Sequence, residues 1–96
     1  MQDDRFEWDD DKARTNSIKH KVAFETACLV FDDPGTVDDP DDSMDYGEER
    51  YRAVGMVNGL LIAVLYTLRG ERIRIISARP ASRTESNTYV RYNPPR

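Results

Sequence analysis

Two glycine-bearing dipeptides, Asn58-Gly59 and Arg69-Gly70, divide residues 50–79 into three segments of strand composition, RYRAVGMV, LLIAVLYTL and RIRIISAR. Such dipeptides suit hairpin turns, so the three segments are expected to form an antiparallel meander. The middle segment is apolar at consecutive positions rather than at alternate ones. It therefore belongs at the centre of a sheet, with helices on one face and something else covering or approaching the other.

Helical signals flank the meander. Phe6 to Trp8 reads as a short strand whose aromatic side chains go to the core or to a partner contact. Asp9, Asp10 and Asp11 then supply an N-cap and first-turn negative charge for a helix through KARTNSIKHK. Phe24, Ala27, Cys28 and Phe31 fall at i, i+3, i+4 and i+7, the apolar stripe of a second helix that ends before Pro34-Gly35. Ser82-Arg83-Thr84-Glu85 is a capping box, opening a last helix that carries Tyr89 and Tyr92 and stops at Pro94-Pro95. The order is β-α-α-β-β-β-α. The expected fold class is α+β, a small antiparallel sheet with two N-terminal helices and a C-terminal helix, in one domain over residues 1–96.

Residues 32–49, DDPGTVDDPDDSMDYGEE, are too acidic and too rich in Pro and Gly for a buried element. They read as a mobile loop with one short edge strand near Thr36 and Val37. Asp41, Ser43 and Asp45 have the alternate spacing that begins an EF-hand loop. Tyr46 stands where that loop needs Gly, and Arg52 where it needs a bidentate Glu, so neither a metal nor a cofactor is expected. The single Cys28 excludes an internal disulfide, the opening MQDDRFEWDDD lacks the pattern of a signal peptide, and LLIAVLY is too short to span a membrane. A cytoplasmic protein without a membrane contact is the expectation.

The net charge of −4 conceals an asymmetry. Residues 1–49 hold 16 Asp or Glu against 5 Lys or Arg, whereas residues 50–96 hold 2 against 9, and all nine cations are Arg. A planar guanidinium fork suits bidentate binding of phosphate or carboxylate. Either the two halves pair with each other across the fold, or the arginines face a partner's anions. Strict alternation along the last strand puts Arg72, Arg74, Ile76 and Ala78 on one face and Ile73, Ile75, Ser77 and Arg79 on the other. Arg79 would then share a face with two isoleucines, an unusual place for a merely solvated arginine. Arg50 and Arg52 share a face with Val54 and Met56.

The segments FEWDDDKARTNSIKH and GEERYRAVG, the apolar strand ending in TLRG, and RIRIISARPASRTE with Tyr89 together resemble the BrnT family of bacterial type II toxins. The resemblance runs from Phe6 to Tyr89. It departs from the family pattern at Lys21 and Ala23, which replace a helix-ending Gly and a helix-capping Ser. The resemblance implies a fold similar to RelE-like toxins and a ribonuclease that stops translation. It also implies a BrnA-like antitoxin, with DNA bound only indirectly through that partner, in an assembly such as a heterotetramer.

With RNA as the polyanion, the expected chemistry is metal-independent cleavage in which the 2′-hydroxyl attacks the adjacent phosphate. Charge stabilisation at phosphorus matters most there, because the nucleophile belongs to the substrate. Arg79, Arg50 and Arg74 are the expected phosphate ligands, with Arg52 and Arg83 as outer RNA contacts. Glu49 is either a general base or a loop carboxylate paired with an arginine. His20 is an acid, a base or a phosphate contact, or else a helix-end cation favoured by the dipole. Tyr66 stacks on a base or donates its hydroxyl, or else packs within the sheet. The rival function is a non-catalytic binding module whose Arg-rich face holds an acidic antitoxin segment or RNA.

Overall fold

Turn chemistry and apolar patterning carry through to the architecture. The computed structural model describes residues 1–42 and 47–95. Ser43, Asp45 and Tyr46 of the rejected calcium loop lie outside the described residues. Asn58 and Gly59 both take positive φ, 51° and 83°, the backbone of a tight hairpin turn. They join β3 (Tyr51–Val57) to β4 (Leu60–Arg69), and a second turn at Gly70 joins β4 to β5 (Arg72–Pro80). The meander is completed by β1 (Phe6–Glu7) and β2 (Val37–Pro40) into a five-stranded sheet of order β1-β5-β4-β3-β2.

The α+β class stands, but the sheet is mixed rather than wholly antiparallel. Phe6 and Glu7 run parallel to β5, opposite Ile73 and Arg74. The helices α1 (Asp10–His20) and α2 (Phe24–Cys28), with a 3-10 turn over Leu29–Asp32, then carry the chain from that edge to β2 on the other. The last helix, α3 (Arg83–Tyr92), follows β5 directly and begins with the expected capping box.

Each face of the sheet has its own apolar cluster. On one, Ala53, Val57, Ile62, Val64, Tyr66, Ile75 and Ala78 pack against Phe6, Trp8, Val22, Phe24, Ala27 and Val30. Trp8 meets Phe24 edge-on at 5.7 Å, so both N-terminal aromatics serve the core. On the other face a smaller cluster joins Val54 and Ala63 to Tyr89 of α3. The central strand is thus apolar in both directions because it is covered twice, by α1 and α2 on one side and by α3 on the other.

Three local details fix the helices. Asn16 is buried, and its Nδ2 donates to the carbonyls of Ala78 (2.8 Å) and Val22 (3.0 Å) while its Oδ1 accepts from Ala78 N (3.1 Å). That amide replaces a neighbouring strand where β1 no longer covers β5. Lys21 closes α1 with φ of 60°, a left-handed position where a side chain costs energy that Gly would not. Ala23 begins α2 without a side-chain cap.

The described part of the acidic stretch before residue 43 is more structured than a mobile loop. It contains β2, which extends from Val37 to Pro40, beyond the short strand expected near Thr36 and Val37. Asp33 accepts from Met56 N (2.7 Å), Gly35 N (3.0 Å) and the Tyr89 hydroxyl (2.8 Å). Burial raises its pKa, but these hydrogen bonds outweigh that and leave the carboxyl below its ordinary value. Asp41 is buried, with its N–H donating to Arg50 O at 2.7 Å. These carboxylates stay ordered because backbone amides and arginines satisfy them.

Candidate functional site

The pairing of β4 with β5 decides where the arginines go. Ala63 lies opposite Arg79 and Leu65 opposite Ser77, but the next residue, Tyr66, lies opposite Ile75. Ile76 is therefore an extra residue, a bulge that reverses the alternation of β5. Below it Ile73 and Ile75 face α1 and α2 with Tyr66, while Arg72 and Arg74 face the other way. Above it Ala78 takes the helix-covered face, and Arg79 joins Arg72 and Arg74. The strict alternation that grouped Arg79 with the isoleucines is corrected by this one-residue shift. Arg52, opposite Leu65, brings β3 onto the same face.

On that face the guanidinium groups meet carboxylates. Arg79 forms a two-pronged pair with Glu85, Nη1 to Oε1 at 2.7 Å and Nη2 to Oε2 at 2.9 Å. Arg52 reaches the same carboxylate from β3, Nε to Oε2 at 3.5 Å, and its Nη2 lies 3.5 Å from Asp41 Oδ2. The two arginines come from strands separated by β4 and converge above it. Burial alone would raise the pKa of Glu85; the bonds from Arg79 and Ser82 pull it down to about 2. The same pairing raises the pKa of Arg79.

The remaining arginines are more dispersed. Arg74 Nη1 contacts Glu7 Oε2 at 2.6 Å on the β1 side. Arg50, immediately before β3, holds Glu48 at 3.2 Å, and Arg72 Nε donates to the carbonyl of Asp3 at 2.7 Å. Arg83 is exposed at the start of α3. Pairing between acidic and basic halves is thus real at Arg50, Arg52 and Arg74, whereas Arg79 is matched by Glu85 from its own half. Beside Arg52 and Glu85 a groove opens between α3 and β2, lined by Val37, Val54, Pro40, Thr84 and Thr88.

Three expected participants lie elsewhere. Tyr66 is buried on the helix-covered face, stacked on Tyr51 at 5.4 Å and edge-on to Phe31 at 5.1 Å. Burial, followed by the hydrogen bond to Asp38 (2.5 Å), raises its pKa. The alternation of β4 turns it away from the arginines and gives it packing contacts on the helix-covered face. Glu49 is exposed and accepts from the Tyr51 hydroxyl at 2.8 Å, drawn toward that same aromatic pair instead of pairing with Arg50. His20 ends α1 and lines an open groove with Lys12, Lys19, Ile76 and Ser77. Among the described residues the structure brings together Arg52, Arg79, Glu85 and Asp41, and leaves Glu49 and His20 outside that group.

Glu85 and Asp41 were not expected at the site. Glu85 was visible in the sequence as the third residue of a helix cap, but nothing there signalled its second use, because the bulge that aims Arg79 at it has no local pattern.

Residues 8–85 match the family profile described as the ribonuclease toxin BrnT of type II toxin-antitoxin systems. The chain belongs to the BrnT family. No curated protein matches it. The BrnT match contains Arg50, Arg52, Arg72, Arg74, Arg79 and Arg83, and it ends at Glu85, the carboxylate on which Arg52 and Arg79 meet. Membership makes the chain a type II toxin of ribonuclease class, the kind of protein that works against an antitoxin. No described helix of this BrnT chain is long and apolar enough to cross a membrane.

Proposed function

We propose that the chain is an endoribonuclease that cleaves RNA without a metal ion and so inhibits translation in the cytoplasm. The observation that carries this reading is the convergence of Arg52 and Arg79 on one carboxylate, beside the groove between α3 and β2. Guanidinium groups fixed in this way match a phosphodiester, whose cleavage adds negative charge at phosphorus. The 2′-oxygen forms a bond to phosphorus, the bond to the 5′-oxygen breaks, and the products are a 2′,3′-cyclic phosphate and a 5′-hydroxyl. One proton leaves the attacking hydroxyl and one reaches the departing oxygen. Arg79 and Arg52 bind the reacting phosphate, Arg74 and Arg50 flank it, and Arg83 meets a neighbouring phosphate. Glu49 and His20 serve as proton carriers only if RNA draws them to the arginines. A BrnA-like antitoxin neutralises the enzyme in a heterotetramer, and DNA is met through that partner alone.

Expressing wild type and Arg79→Ala separately tests this reading. Growth arrest and cyclic-phosphate ends are expected from wild type, with cleavage reduced ~100-fold in the variant. Fragments ending in a 3′-hydroxyl would refute the route. One observation favours the alternative of a binding module: the arginines already hold carboxylates, which an acidic antitoxin segment could replace group for group. Harmless expression of folded wild type supports that alternative.

A further inference from the structure

We infer that Glu85 is a positioning residue of the nuclease site, which holds Arg52 and Arg79 side by side so that one phosphodiester can bridge them. The inference rests on the RNA-cleaving reading and adds to it the group that builds the phosphate grip. Two guanidinium groups repel each other, and long side chains from β3 and β5 have no reason of their own to meet over β4. A shared anion supplies the reason.

Glu85 is well suited to that task because it cannot move independently. Its Oε1 accepts from Ser82 N at 2.8 Å, and its own N–H donates to Ser82 Oγ at 3.2 Å. The carboxylate is thereby tied to the first turn of α3, and its side chain is only 14% exposed. Arg79 is clamped through both terminal nitrogens, with Nη1 also 3.3 Å from the carbonyl of Pro80. Its Nε edge has no part in the Glu85 pair. Arg52 meets Glu85 through Nε and Asp41 through Nη2, which leaves Nη1 outside both contacts. An arginine carries five N–H donors, so each guanidinium keeps hydrogen-bonding capacity beside the shared carboxylate. The pair Arg74–Glu7 lacks this design, since among the described residues it joins one cation to one carboxylate and gathers no second arginine.

Positioning and helix capping can be separated by comparing Glu85→Gln with Ser82→Ala. Both variants weaken the capping box, but only the first removes the charge that gathers the arginines. Initial rates on a short single-stranded RNA of mixed sequence, corrected for folded fraction by circular dichroism, give kcat and KM. For Glu85→Gln, kcat is expected to fall ~100-fold while KM stays level or drops, because a negative charge has left an anion-binding face. Ser82→Ala should lose stability and keep kcat. Side-chain nitrogen NMR supplies a readout independent of turnover: slowed guanidinium rotation of Arg79 in wild type and Ser82→Ala, and averaged signals in Glu85→Gln. Wild-type or raised kcat in Glu85→Gln, or an equal loss in Ser82→Ala, overturns the positioning role while leaving the nuclease reading intact. RNA left uncut by folded wild type overturns both.

Discussion

The two faces of the sheet are held by different physics. Beneath α1 and α2, aromatic and branched side chains exclude water, and Phe24 is 1% and Ile75 2% exposed. Above the sheet, α3 covers only part of the surface, and the rest is organised by arginines with about a third of their side chains exposed: 36% for Arg79, 37% for Arg52 and 28% for Arg74. The covered face therefore carries most of the stability, while the arginine face can exchange partners at little cost to folding. Placing the ligand-binding groups on the second face separates function from the core that supports it.

The severest test of this division is to insert one alanine between Ser77 and Ala78. The added residue would force either Arg79 under the helices or Ala78 out of them, and the expected outcome is a chain that fails to give a cooperative thermal transition. Phe24→Ala should cost about 3–5 kcal/mol by denaturant unfolding, whereas Arg74→Ala should cost less than about 1 kcal/mol. Similar losses at the two positions would erase the contrast. Acid titration sharpens it further. The folded-state pKa of Glu85 is lowered from 4.5 to about 2, so its stabilising contribution is complete above the higher value and is lost as pH falls toward the lower. Glu85→Gln should flatten this part of a stability–pH curve, while a covered-face variant such as Ile75→Val should shift the curve without changing its shape. The smallest effects belong to the turn between α1 and α2. Lys21→Gly and Ala23→Ser should each raise the unfolding free energy, by about 0.5–1 kcal/mol, and leave RNA cleavage unchanged.

Much of the covered face was legible because each local signal there agrees with its neighbours. The Asn58-Gly59 turn, the doubly apolar β4 and the cap at Ser82 all lie where their chemistry placed them. What escaped depends on contacts between distant residues. A bulge is a mismatch between two strands, so inspecting β5 alone could not show that Arg79 joins Arg74. Parallel pairing of β1 arises from tertiary closure, and so does the burial of Asp41. Tyr66 and Glu49 lie apart from the paired Arg52 and Arg79 for a related reason: strand alternation turns Tyr66 to the helix-covered face, and the Tyr51 hydroxyl holds Glu49.

Asn16 has a consequence for how these molecules tolerate crowding. The rim of a sheet invites other chains to add their own backbone, and β1 shields only the first part of β5. By presenting both an amide donor and a carbonyl acceptor to Ala78, this side chain occupies the docking groups that an incoming strand would seek. One helix-borne amide thereby discourages self-association along an otherwise adhesive border.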